Sequence, residues 1–217
     1  MLNQGMQSSC PPNRLHTTRV WFLPKNTENR PLCSIAQPYF SMIDTKGDQM
    51  VEHIWTIEKW TSNPHIIQEG RPRGLRLQFE QGVDRELRNA CLKFAKWLRS
   101  EYCFPVRVRV YFKNRARIRA MDGDSVCGTF MMPDDYRETP FARIATGDYR
   151  DLCEKYGEKQ ATFEILWCIA HELTHYFQWI NGIKLTRIGE ERQANRYGYY
   201  IVDEYIEATN TENTGDG

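Results

Sequence analysis

The sequence predicts an α+β fold, and three patterns predict it. Apolar residues recur at three-and-four spacing from about Val83 to Glu101, and again from about residue 160 to 180, the period of helices with one buried face. Between them, Val106, Val108, Val110 and Phe112 alternate with Arg107, Arg109, Tyr111 and Lys113, the period of a strand. After Gly189 another helical face opens, with Glu191, Ala194, Asn195, Gly198, Ile201, Val202 and Tyr205 on one side. The expected architecture is a compact domain with a small sheet and two consecutive helices at its C-terminal end, preceded by an irregular β-rich region.

Residues 1–17 are polar, contain Pro11-Pro12 and are expected to be disordered. From residue 18 to residue 80 the chain is expected to form short strands and loops. The runs Val20–Leu23, Tyr39–Ile43, Val51–Trp60 and Leu75–Phe79 alternate with turn-rich stretches such as Lys46-Gly47-Asp48 and Ser62-Asn63-Pro64. The first helix then carries Leu87, Ala90, Cys91, Phe94, Trp97 and Leu98 as its apolar stripe. Val126–Met132 and Phe141–Ala145 read as further strands, parted by the turn at Pro133-Asp134-Asp135. The helix over 160–180 buries Phe163, Leu166, Ile169, Ala170, Leu173, Phe177 and Ile180, and Asn181-Gly182 marks its end. The tail from 209 to 217 is polar and is expected to be disordered.

The helix over 160–180 contains the most informative residues of the chain, His171-Glu172-Leu173-Thr174-His175. Histidines four apart on a helix project from one face, where two imidazoles can share one Zn²⁺. The glutamate between them is positioned to activate a water, so the pattern points to metal-assisted hydrolysis, most often of a peptide bond. Catalytic zinc takes three protein ligands and keeps one open position. A form with the third histidine six residues on is excluded, because that position is Asn181 and the glycine it requires is replaced by Gln178. Glu191 is an acid on an otherwise inward helix face, where a carboxylate needs a partner, and is the candidate third ligand ahead of Glu190. Asn195, one turn further, is a candidate acceptor for the second ring N–H of His171 or His175. Cys168, one turn before the motif, reads as a small buried hydrophobe rather than a metal neighbour.

His171-Glu172-Leu173-Thr174-His175 followed by Glu191-x-x-Ala194-Asn195 resembles the gluzincin metallopeptidases, and within them the ImmA/IrrE type. Tyr197 stands where that family has an aromatic residue. The resemblance covers about residues 160–205. It implies Zn²⁺ held by His171, His175 and Glu191, with Glu172 as general base. It implies a zincin-like metalloprotease domain over 81–208 acting on a restricted, regulatory protein substrate, and so a regulatory partner. In such folds a sheet edge beside the motif helix receives the substrate backbone, and chain order makes 126–132 the candidate edge. An oxyanion would need one further donor. Tyr176, Tyr199 and Arg192 lie close in sequence, and Tyr197 and Tyr200 are the candidates. The helix-turn-helix that often accompanies this family is not evident here.

Composition narrows the alternatives. The 217 residues are 41 % hydrophobic and 12 % aromatic, enough for a substantial core. No run approaches the roughly 18 apolar residues that span a bilayer, and the N-terminus lacks the charged start and apolar stretch of a signal peptide. Seven scattered cysteines without a C-x-x-C suit reduced thiols in the cytoplasm. The net charge of +1 makes no general case for nucleic acid. Locally, Arg107, Arg109, Lys113, Arg115, Arg117 and Arg119 follow one another with no acid between them, and Arg71, Arg73 and Arg76 form a second group. Asp122, Asp124, Asp134 and Asp135 nearby favour a solvated, balanced face. If the cations cluster in space, the rival reading is a non-catalytic, zinc-stabilised module binding nucleic acid or an acidic protein through residues 106–119.

Overall fold

The computed structural model describes residues 53–120 and 123–214, with side chains as far as residue 210. The elements follow in the order β1 (Leu75–Phe79), α1 (Arg85–Glu101), β2 (Val108–Lys113), β3 (Ile118–Arg119), β4 (Ser125–Val126), β5 (Gly128–Met131), β6 (Phe141–Ala145), α2 (Tyr149–Tyr156), α3 (Glu158–Ile180) and α4 (Arg187–Thr214). The mixed helix and sheet content is that of an α+β fold. The segments 1–17, Val20–Leu23 and Tyr39–Ile43 lie outside the described residues.

Four strands form one sheet in the order β1-β2-β6-β5. β1, β2 and β6 run parallel, and β5 closes one edge antiparallel to β6. A parallel β1–β2 pair needs a crossover connection, and α1 supplies it. α1 starts where Asp84 accepts hydrogen bonds from the backbone N–H of Glu86 and Leu87, at 2.8 and 3.1 Å. Such a cap stabilises the helix by about 1 kcal/mol. Its buried stripe is Leu87, Cys91, Phe94, Ala95 and Leu98. From the sheet, Val108, Val110, Phe112, Ala142, Ile144 and Phe130 point into the same core.

The registers of β1 and β6 are fixed by their alternation, and both lie where the sequence expects them. Two expected strands are corrected. Residues 53–62 form turns and a short 3-10 helix (Lys59–Ser62) rather than a strand. They pack on α3 instead of in the sheet: the Trp55 ring lies 4.5 Å from that of Phe177, and its indole N–H donates to the Thr174 hydroxyl at 3.0 Å. The run 126–132 breaks at Cys127, so that Val126 pairs in the small β3–β4 ladder while Gly128–Met131 joins the main sheet. β1, which precedes residue 81, belongs to the same sheet as β2. At the C-terminal end, α4 continues to Thr214, into the stretch expected to be disordered.

α3 is unusual in being buried on all sides through its second half. Every residue from Cys168 to Ile180 is buried. The core, α4, β5 and the 53–62 segment each cover part of it. The helix ends at Asn181-Gly182 as expected, with Gly182 in the left-handed region at φ 59°. No helix among the described residues is long and apolar enough to cross a membrane.

Candidate metal centre

His171 and His175 are one turn apart on α3 and both are enclosed, at 0 % and 4 % exposure. A solvated helix face with incidental histidines is therefore excluded. Their Nε2 atoms lie 3.2 Å apart, and each is 3.7 Å from Glu191 Oε2 on α4. A tetrahedral ion with bonds of about 2.0–2.1 Å spaces its ligand atoms about 3.3 Å apart, so the three donors sit close to the separations one ion requires. These three residues are the one metal-ligating group found among the described residues.

Unbalanced charge supports the same assignment. Neither carboxylate oxygen of Glu172 or of Glu191 has a hydrogen-bond partner, though all four atoms are buried. Burial, and to a lesser degree His175, holds His171 well below the ordinary histidine range, against a hydrogen bond to the Ala194 backbone that pulls it up. His171 is therefore held towards the neutral form that metal ligation requires. Buried carboxylate oxygens without hydrogen-bond partners on Glu172 and Glu191, beside two enclosed imidazoles, make an environment that a divalent ion would complement.

The ring orientations come from groups that the sequence did not single out. His175 Nδ1 lies 2.7 Å from Gln178 Oε1, and the Gln178 amide donates in turn to the Glu190 carbonyl and to Gln193 Oε1, at 2.9 and 3.0 Å. This chain ties the motif helix to the start of α4 and fixes the tautomer that leaves Nε2 free to ligate. Asn195, expected in that role, is half-buried and makes no hydrogen bond to either ring among the described residues. The signal for Gln178 was its helical position three residues after His175, on the neighbouring face.

Glu172 is 1 % exposed, and burial first and the Glu191 carboxylate second hold its pKa well above the ordinary range. Its carboxyl lies against β5 at Gly128. A side-chain carbon at Gly128 would come within 2.5 Å of Glu172 Oε1 and 2.7 Å of Cys168 Sγ. Only glycine lets this strand approach so closely, and a glycine interrupting an alternating strand pattern is the sequence signal for such an approach. Gly128→Ala is expected to displace the Glu172 carboxyl, lowering any activity that depends on it while the metal content stays at the wild-type level. Unchanged turnover in this variant would show that Glu172 has no defined position to lose.

Cys168 is fully enclosed, and burial pushes its thiol well above the ordinary range. It thus behaves as a neutral, apolar filler and not as a fourth ligand. Tyr197 and Tyr200 do not reach the centre in the manner expected of oxyanion donors. The Tyr197 hydroxyl accepts from the Ile54 N–H at 3.2 Å, and both rings pack around His53. Tyr176 is occupied with the Val106 backbone, donating to its carbonyl at 2.8 Å. On α4, Gly198 lies against the Trp167 indole, whose ring centroid is 5.3 Å from that of His171. This close helix crossing carries Glu191 to the histidines.

Beside His175 a cavity of about 190 Å³ opens between the edge strand β5 and the end of α3. Phe130, Met132, Tyr136, Trp179 and Ile183 supply its apolar lining, with Tyr136 stacked on Trp179 at 4.9 Å. Comparison of the chain with protein-family models, with curated proteins and with solved structures finds no match. The His171, His175 and Glu191 group, in a mixed α/β domain, could hold a metal ion.

Proposed function

We propose that the protein is a zinc-dependent metallopeptidase of the gluzincin type, most similar to the ImmA/IrrE group. One observation carries the reading: two imidazoles and one carboxylate group converge on one point with no fourth His, Cys, Asp or Glu donor in the group among the described residues. A purely structural zinc is closed by four protein ligands, whereas three leave a position for a reacting molecule. His171, His175 and Glu191 would hold the ion, and a mixed nitrogen and oxygen donor set suits Zn²⁺.

When bound, Zn²⁺ supplies Lewis acidity that brings the pKa of a water near 7 and polarises a carbonyl. Glu172 would serve as general base and then general acid, accepting the proton of the attacking water and returning it to the departing amine. The Glu172 carboxyl is desolvated and aimed by its contact with β5, so little reorganisation precedes the transfer. β5 is one of the two edge strands of the sheet, the other being β1, and lies against α3. Its outward N–H and C=O groups suit an extended peptide adding as a further strand. The neighbouring cavity would take an apolar side chain of that peptide.

A restricted protein substrate of a regulatory kind is the class the family resemblance suggests. The test is hydrolysis of a mixed peptide library by the zinc-loaded protein, read by mass spectrometry. Cleavage should stop on chelation and return with added Zn²⁺. Cleavage that survives chelation, or a protein that takes up no zinc, would defeat the proposal.

A further inference from the structure

The sheet has a second face that the helices leave uncovered, and its chemistry is unlike that of the metal centre. Strand registers assign it residue by residue. Core-facing Val108, Val110 and Phe112 alternate with Arg109, Tyr111 and Lys113 on β2. Beside them in register stand Arg76 and Gln78 on β1, Phe141 and Arg143 on β6, and Thr129 and Met131 on β5. Four cations thus share one face with no acid on any of its four strands. Arg76 and Arg109 are directly paired neighbours, both exposed, and neither has a carboxylate within ion-pair distance among the described residues.

The charge is concentrated there although the chain as a whole carries only +1. Arg117 is balanced by Asp148 at 2.8 Å, and Lys113 by Glu80 at 2.8 Å. At the end of the face, Lys113, Arg115, Arg119 and Arg143 surround a cavity of about 230 Å³ together with Ile118. Arg143 is held in place by Thr129 Oγ1 and the Arg119 carbonyl, each accepting at 3.3 Å. Two aromatic rings stand among the cations. Tyr111 and Phe141 lie on adjacent strands with centroids 5.7 Å apart, and Lys113 Nζ is 5.9 Å from the Tyr111 ring.

We propose that this face binds single-stranded nucleic acid, with phosphates on Arg76, Arg109 and the basic cavity and bases against Tyr111 and Phe141. Charge alone would suit any polyanion. Half-exposed rings interleaved with guanidinium groups are specific to a ligand that alternates anionic groups with flat ones, which an acidic peptide does not. Unpaired bases can lie on such a flat sheet, whereas a duplex keeps its bases stacked internally and offers only its backbone. The inference does not depend on the peptidase reading, since no residue of the face is a metal ligand or the base.

The experiment is fluorescence anisotropy of labelled fifteen-residue oligothymidine with the full chain over a series of salt concentrations. An RNA of that length, a DNA duplex and polyglutamate serve as comparisons. Single strands should bind, with log K falling against log salt at a slope of about −2 to −3 for three to four phosphate contacts. Arg76→Glu combined with Arg109→Glu should weaken binding by at least tenfold and flatten that slope. Tyr111→Ala should weaken it about tenfold with the slope retained. A far-ultraviolet circular dichroism spectrum and melting temperature equal to wild type in all variants show that they fold. Absence of binding at low salt, preference for the duplex, equal competition by polyglutamate, or indifference to both sets of substitutions would each overturn the proposal.

Discussion

Glu172→Gln is expected to lower zinc-dependent peptide hydrolysis by about a thousandfold while one metal ion stays bound. Glutamine keeps the size and position of the side chain against Gly128 but cannot accept a proton. The ligands His171, His175 and Glu191 are untouched, so metal content measured on the same preparation should equal that of wild type. Retained turnover would remove Glu172 from the proposed mechanism without affecting the metal centre. The same variant has a second expected signature. The folded-state pKa of Glu172 is raised above its ordinary 4.5 by burial and by Glu191. Between those two values the folded state binds more protons than the unfolded one, so wild type loses stability as pH rises. Glutamine does not titrate. The metal-free variant should therefore exceed metal-free wild type in stability by about 1–3 kcal/mol near neutral pH. The gap should shrink as pH falls towards the ordinary carboxylate value and is read from thermal or urea unfolding across that range. An active-site carboxyl that costs stability in the empty fold is the expected trade between function and stability.

Glu191→Ala is expected to abolish stoichiometric zinc binding. Two imidazoles on one helix turn remain, but they are an incomplete set for an ion that takes three protein ligands. Removing a partner that merely orients a ligand costs about 10–100-fold in metal affinity, and removing the ligand itself should cost more. The check is metal content after gel filtration, with wild type holding about one equivalent. The metal-dependent rise in melting temperature should vanish with it, because an ion stabilises only the state it binds. Full retention of zinc without Glu191 would mean another third ligand and would reopen the structural-site reading.

The candidate metal ligands were legible because each pattern is local. His171 and His175 are neighbours on one helix turn, and the helical period alone put Glu191 on the inward face of the next helix. β1, β6, α1 and α3 were legible for the same reason: their alternation or three-and-four spacing runs over enough residues to stand out. α2 has that spacing at Tyr149, Leu152, Cys153 and Tyr156, but over a window too short to be distinctive. The 53–62 segment misled because its apolar and aromatic residues are buried by packing on α3, and burial by tertiary contact leaves no period in the sequence. Asn195 and Gln178 show the same limit on a finer scale. Both lie one turn from a candidate ligand, and only the crossing of α3 and α4 decides which side chain meets the ring.

By itself, then, the sequence determined which residues are candidate metal ligands and which elements hold them, since helix and strand periods are set by the backbone within a few residues. The tertiary structure decided everything that depends on contacts between distant segments. It brought Glu191 to the two histidines and made β5 an edge strand beside the motif helix. It gave Gly128 the task of admitting the Glu172 carboxyl. It also gathered Arg76, Arg109, Lys113 and Arg143 from three strands onto one face, which a linear run of cations cannot reveal because strand order, not chain order, sets who stands beside whom.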